Sequence, residues 1–200
     1  MTAGAIVVAG VLDAALQEPP LAWHPVRAIG RYLETAQRAV PSEPPLRAAA
    51  LGGAAWALGA AVAAALGAAL ERAVDEAPAW RRSVVLGVAL WPLFAQRLLL
   101  DEVAAAETAL AGGLDAGRAA VSRIVSRDVR SLSEAQVREA TIESLGENLS
   151  DSVVAPLLWF AVGGLPAAAL YRFANTADAV WGYRTPRWRH AGTVAARADD

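Results

Sequence analysis

The stretch that decides the fold is AAALGGAAWALGAAVAAALGAAL, residues 48–70. It contains no charged side chain, and it is longer than the roughly 20 apolar residues that a helix needs to cross a bilayer. Glycines recur among its alanines, and small residues let helices approach closely in lipid. We therefore predict a membrane-spanning helix here, because an alanine-rich core helix of a soluble protein rarely stays uncharged over such a length.

Two further apolar stretches, residues 83–100 and 152–171, predict additional spans. The second contains the sequence Gly-Gly-Leu-Pro, and glycine at a helix end followed by proline at a helix start marks a break between helices. This stretch is therefore either one span or two short helices of a re-entrant hairpin, residues 152–178. The hairpin would place Asp151 and Asn175 on the same side of the membrane.

The predicted fold is an all-α, polytopic membrane helical bundle in a single domain, residues 1–200. Residues 101–151 are polar with a helical pattern, and they are too long for a plain connector. Residues 3–16 are apolar but lack the basic flank of a signal peptide, so we expect a retained helix there.

Composition excludes several functions. The chain has no Lys and no Cys, which rules out a lysine Schiff base, a Walker A phosphate loop, thiolate metal sites and cysteine nucleophiles. Its net charge of −2 gives no general attraction to nucleic acid. With two His and no Cys, the chain does not suit a classical zinc site.

A first candidate site begins at His24 and Pro25, and proline suits the first turn of a helix. Arg27, Arg31 and Glu34 follow at helical spacing, so they share one helix face. Two arginines behind a histidine could bind a phosphate or a carboxylate. A solvated helix face with an ordinary Arg–Glu pair is an equally compatible interpretation.

A second candidate is a cluster of arginines within the polar segment. It indicates either an anion-binding surface or a helix attracted to anionic lipid. The cluster consists of Arg118, Arg123, Arg127, Asp128 and Arg130.

A third candidate is an acidic stripe on a predicted helix. Ser133 and Gln136 form a capping box, which predicts a helix starting near Glu134. Like charges four residues apart destabilise a helix unless they are compensated, and clustered oxygen ligands suit Mg²⁺. The alternative is a solvated acidic face, but the stripe runs directly into an apolar segment, where charge is costly. The stripe consists of Glu139, Glu143, Glu147 and Asp151, with Asn148 beside them.

A fourth candidate lies after the last apolar stretch. Asn175 and Asp178 are neighbours on a helix that Gly182 is expected to end. Tyr183 and Arg184 follow at once. The alternative interpretation is a juxtamembrane basic segment that holds lipid headgroups.

Four collinear segments together resemble the CobD/CbiB family of adenosylcobinamide-phosphate synthases, membrane proteins of cobalamin biosynthesis. The family usually has Gly-Asp-Pro where this chain has Gln17-Glu18-Pro19, so Glu18 keeps a carboxylate. The segments are LDAALQEPPLAWHPVRAIGRYLE (12–34), RAAVSRIVSRDVRSLSEAQV (118–137), ESLGENLSDSVVAPLLW (143–159) and NTADAVWGYRTPRWRHAG (175–192).

The resemblance implies a carbon–nitrogen ligase that joins adenosylcobyric acid to (R)-1-aminopropan-2-ol or its O-phosphate. ATP is the implied activator of the carboxyl group, most simply through an acyl phosphate, with Mg²⁺ as the cofactor. The implied location is the inner (cytoplasmic) membrane of a bacterial cell, as a multi-pass protein. Its implied partners are the corrinoid and amino-alcohol substrates, the lipid bilayer and other corrinoid-assembly membrane enzymes, but no nucleic acid.

The candidate residues take roles in that reaction. We expect His24 either to accept a proton from the attacking ammonium group or to be a structural hydrogen-bonding residue. The catalytic candidates are His24, Arg27, Arg127 and Asp128. The substrate-binding and phosphate-binding candidates are Arg31, Arg123, Asn175, Asp178, Tyr183 and Arg184. The metal candidates are Glu143, Glu147, Asn148 and Asp151.

Two other classes of function remain open. A membrane transporter would use the acidic stripe as a cation path, although the carboxylates lie at the end of an apolar stretch rather than inside it. A non-catalytic scaffold or truncated remnant is the other, because family members usually continue well beyond a point that matches residue 200.

Overall fold

A computed structural model describes residues 2–125 and 127–199. Within these residues the chain is helical and contains no β-strand, as predicted. Two short turns of other helix types interrupt the α-helices: a 3₁₀ turn, Trp91–Leu93, and a π turn, Ser150–Val154. The α-helices are α1 (Thr2–Leu16), α2 (Pro25–Ala36), α3 (Pro45–Ala73), α4 (Ala79–Leu90), α5 (Gln96–Gly112), α6 (Leu114–Val121), α7 (Glu134–Leu149), α8 (Ala155–Trp181) and α9 (Thr193–Asp199).

Three helical stretches are long and apolar enough to cross a membrane, which confirms the predicted membrane bundle. They are Pro45–Ala73, Ala79–Gly112 and Glu134–Trp181. Helix ends also follow the predicted signals. The capping box of Ser133 and Gln136 starts α7, and Gly182 follows the last residue of α8.

The second stretch is not a straight helix, because it breaks inside the predicted span 83–100. Pro92 has no N–H and its ring excludes the carbonyl four residues earlier, so the α-helix ends at this point. Phe94 is extended, with φ −136° and ψ 161°. Ala95 N–H then donates to the Ser152 carbonyl at 2.9 Å, which ties the break to the third stretch.

The third stretch folds back on itself, as the hairpin interpretation predicted. Gly164 has φ 68° and ψ −162°, a left-handed conformation that glycine adopts without strain. The Tyr171 hydroxyl donates to the Asp151 carbonyl at 3.2 Å, whereas a straight helix would separate these residues by about 30 Å. We call residues 155–162 the first arm of the hairpin and residues 165–181 the second arm.

The second arm packs antiparallel against α3 through glycines. A Cβ atom on Gly67 would lie 2.8 Å from the backbone of Pro166, and one on Gly59 would collide with the ring of Phe173. Glu71 accepts a hydrogen bond from Leu165 N–H at 2.7 Å, so its carboxylate caps the N-terminus of the second arm. Small residues on α3 therefore set the position of the hairpin.

Gly67→Ala is expected to lower the free energy of unfolding by about 1–3 kcal/mol, because the added methyl group would force α3 away from the second arm. The matched control is Gly30→Ala in α2, where an added Cβ meets no atom within 4 Å. The control should be neutral or stabilising by about 0.5–1 kcal/mol. Thermal unfolding in detergent measures both, and equal melting temperatures for the two variants would contradict the close packing.

Candidate functional site

Two adjoining cavities lie between α5, α7 and the loop that precedes α7, and both are lined by Ile124 and Asn148. The first, the α7 cavity, has a volume of about 370 Å³. The second, the α5 cavity, has a volume of about 400 Å³. Further polar residues of the α7 cavity are Arg127, Glu143, Ser144 and Glu147. Those of the α5 cavity are Glu18, Glu102, Arg123 and Ser152.

The α7 cavity combines a guanidinium with carboxylates. Arg127 donates to Glu143 at 2.6 Å, and both side chains are about half-exposed. The Ser144 hydroxyl donates to the Ile124 carbonyl at 2.6 Å, and Asn148 donates to the Ser144 carbonyl at 2.9 Å. The bond from Ser144 ties the loop before α7 to the helix, whereas the bond from Asn148 lies within α7. The structure thus brings together four of the predicted site residues, Arg127, Glu143, Glu147 and Asn148.

The acidic stripe does not converge as a whole. A step of four residues turns an α-helix by about 40° beyond a full turn, so Glu139 and Asp151 differ by about 120° around the axis. The π turn then changes the register again at Asp151. Asp151 interacts electrostatically with Tyr171 and Arg172 instead of lining the α7 cavity.

Among residues 2–125 and 127–199, no group of three or more His, Asp or Glu side chains is arranged to hold a metal ion. Glu143 and Glu147 fit a different mode, in which Mg²⁺ is held by one or two carboxylates together with substrate phosphates. The metal assignment stays a prediction.

The α5 cavity has charges of both signs on its wall. Arg123 pairs with Glu102 at 3.2 Å. Glu18 enters the cavity because Gln17, in a left-handed conformation with φ 59°, turns the chain after α1. Trp91 donates from its indole N–H to the Gln17 carbonyl at 2.7 Å, which holds this turn beside the break after α4.

His24 caps α2. Its Nδ1 accepts a hydrogen bond from Val26 N–H at 3.3 Å, so the neutral imidazole carries its proton on Nε2. Nε2 lies 3.8 Å from Glu18. Burial lowers the pKa of His24 from its usual value; the nearby Glu18 carboxylate opposes this shift, and the Arg172 charge adds to it. This geometry favours the structural role, since proton acceptance at Nδ1 would break the cap.

Arg172 is the central residue that sequence reasoning did not assign to the site. It is 7% exposed, and its Nε and Nη2 atoms donate to the Leu93 carbonyl, with the Nε distance at 2.8 Å. Its Nη1 lies 3.5 Å from the Asn175 side-chain oxygen. A charged residue at the end of an apolar stretch was the available signal, because such residues are rare in membrane segments and usually functional.

Several predicted residues do not line either cavity. Arg27 and Arg31 lie on the exposed face of α2, and Tyr183 and Arg184 are exposed after α8. The half-buried Asp178 packs beside Gly182, at the end of the second arm.

Asp128 is also outside both cavities. It pairs with Arg130 at 2.8 Å, and the hydrogen bonds from Arg130 lower the pKa of Asp128 to about 2. The carboxylate is therefore ionised at neutral pH and has no proton to donate.

The chain is similar to curated proteins across nearly its whole length. A protein from Chromobacterium violaceum named cobalamin biosynthesis protein CobD is 43% identical over 202 residues, which cover 96% of this chain and 62% of that protein. A protein of the same name from Rhizobium meliloti is 39% identical, with coverage of 98% and 62%. One from Brucella suis is 38% identical, with coverage of 95% and 60%.

The chain thus spans about three fifths of the length of the curated relatives it matches. No solved structure matches it. The family model described as CobD/Cbib protein matches residues 6–200. This match over almost the entire chain, together with the identity to curated relatives, shows that the chain belongs to the CobD/CbiB family.

Proposed function

We propose that the chain acts in cobalamin biosynthesis as a membrane-embedded ligase. The reaction joins the free propionate carboxyl of adenosylcobyric acid to the amine of (R)-1-aminopropan-2-ol or its O-phosphate. The names of the relatives support the pathway. The observation that carries the chemistry is the pair of adjoining cavities, each of which presents a guanidinium group and carboxylates, with Ile124 and Asn148 lining both.

Amide formation from a carboxylate requires activation. In the proposed reaction a propionate oxygen attacks the γ-phosphorus of ATP, and ADP leaves with the electrons of the broken P–O bond. The ammonium group of the amine substrate loses a proton to solvent, the amine nitrogen attacks the acyl carbon, phosphate leaves, and the nitrogen loses a second proton to solvent. Mg²⁺ bound to the nucleotide would neutralise charge on the phosphates, and the protein would contribute positioning and further neutralisation.

The α7 cavity is the proposed phosphate end of the site. Arg127 presents a guanidinium, which binds phosphate oxygens in a bidentate manner. Its present partner, Glu143, is about half-exposed, and exposed ion pairs contribute only about 0–1 kcal/mol. Phosphate oxygens can therefore replace Glu143 as the partner of Arg127 at little cost in free energy. Glu143 and Glu147 then remain available to the nucleotide-bound Mg²⁺.

The purified chain, in detergent or in proteoliposomes, is expected to form the amide from adenosylcobyric acid, aminopropanol O-phosphate and Mg-ATP. Mass spectrometry should detect the product together with one ADP per amide bond. Omission of ATP or of Mg²⁺ should abolish the product. Folded protein that yields no amide would contradict ligase activity of this chain and would favour the transporter or scaffold alternatives.

Glu147→Gln is expected to lower kcat/KM by about 10²-fold and to raise the Mg²⁺ concentration needed for half-maximal rate, because it removes one carboxylate from the α7 cavity. The control is Glu134→Gln at the start of the same helix, where the carboxylate pairs with Arg138 at 2.7 Å outside both cavities. Steady-state kinetics at varied Mg²⁺ compare the two. Equal kinetics for both variants would contradict a role of Glu147 in the reaction.

A further inference from the structure

We propose that the α5 cavity is the site of the amine substrate, with the Glu18 carboxylate on its ammonium group and the Arg123 guanidinium on its anionic end. This inference rests on the proposed ligase function and assigns one substrate to one cavity. The cavity volume of about 400 Å³ lies within the range of small-molecule sites. An amino alcohol phosphate fits such a volume, whereas a corrinoid is far larger.

The charge balance around the cavity favours a bound cation. Three carboxylates interact with the Arg172 guanidinium: Glu18, Asp151 and Asp199. On the cavity wall itself, Glu18 and Glu102 are negative and Arg123 is positive, so the lining carries an excess of negative charge. An ammonium group that enters beside Glu18 would reduce this excess, and Glu18 is the member of the set that lines the cavity.

His24 lies beside Glu18 but is not among the residues that line the α5 cavity. Its side chain is only 10% exposed, and its Nε2 atom is buried without a hydrogen-bond partner in the described part of the chain. Nε2 is 3.8 Å from Glu18, which is too far for a hydrogen bond. Buried donors are normally satisfied, so a ligand oxygen that reaches past Glu18 is suited to accept from this N–H. The oxygen on C2 of aminopropanol, which carries the phosphate in the O-phosphate, is such an acceptor.

Arg123 provides the opposite end of the proposed site. Its pair with Glu102 lies on the wall of the same cavity, and the Arg123 side chain is about half-exposed. The phosphate of the substrate would accept from this guanidinium, because charge-assisted bonds to phosphate are among the stronger ones. Asn148 and Ile124 line both cavities, so an amine held here would lie next to the proposed phosphate end.

The test compares binding of aminopropanol O-phosphate with binding of propan-2-yl phosphate, which lacks the amine. Isothermal titration of the full chain in detergent, without ATP, is expected to show at least about tenfold tighter binding of the amine, equivalent to about 1.4 kcal/mol. Glu18→Gln should abolish this preference and leave the affinity for propan-2-yl phosphate unchanged, and Glu18→Asp should restore part of it. The control is Glu107→Gln on α5, which pairs with Arg138 away from the cavity and should behave as wild type.

The outcomes separate the two proposals. Amide formation by Glu18→Gln with an unchanged KM for the amine would overturn the amine site and leave the ligase function standing. A wild type that binds the amine selectively through Glu18 and yet forms no amide would support the amine site and contradict the proposed ligase function. Equal binding of the two phosphates by the wild type would overturn the inference directly.

Discussion

The guanidinium of Arg172 is the interaction on which the geometry of the site depends. A buried charge is very costly unless other groups compensate it, and this side chain is only 7% exposed within the second arm. Its main acceptor is the Leu93 carbonyl, which would bond to Arg97 N–H if α4 continued as a helix. Arg97 N–H instead donates to Asp13 at 2.8 Å. The helix break therefore leaves the Leu93 carbonyl free to accept from the buried guanidinium, and the guanidinium satisfies that carbonyl.

Two breaks in apolar helices meet at this point and create the polar site. Pro92 ends α4, and the glycine pair at Gly164 folds the third stretch into a hairpin that carries Arg172 back beside Asp151. Irregular backbone is tolerated at membrane depth only where the protein satisfies it, and here Ser152 and Arg172 do so. The glycine surface of α3 holds the second arm in place, so it also determines where Arg172 lies.

Local signals predicted the local structure well. The capping box, the proline at the start of α2 and the Gly-Gly-Leu-Pro break depend on neighbouring residues, and the structure confirms each of them. The convergence of Glu18, His24 and Arg172 depends on contacts between distant segments, which spacing along one chain cannot specify. For the same reason, helical spacing placed Arg27 and Arg31 on one face but did not show that this face is exposed. The π turn, which moves Asp151 away from the acidic stripe, had no sequence signal.

Hydrogen–deuterium exchange of Arg172→Met tests most directly whether this guanidinium holds the break and the hairpin together. The matched control is Arg187→Met, because Arg187 also donates to two main-chain carbonyls, those of Gln37 and Val40, in another part of the molecule. The account predicts faster exchange in residues 93–99 for Arg172→Met, including Ala95 N–H, and wild-type exchange there for the control. Unchanged exchange in residues 93–99 of Arg172→Met would contradict the account.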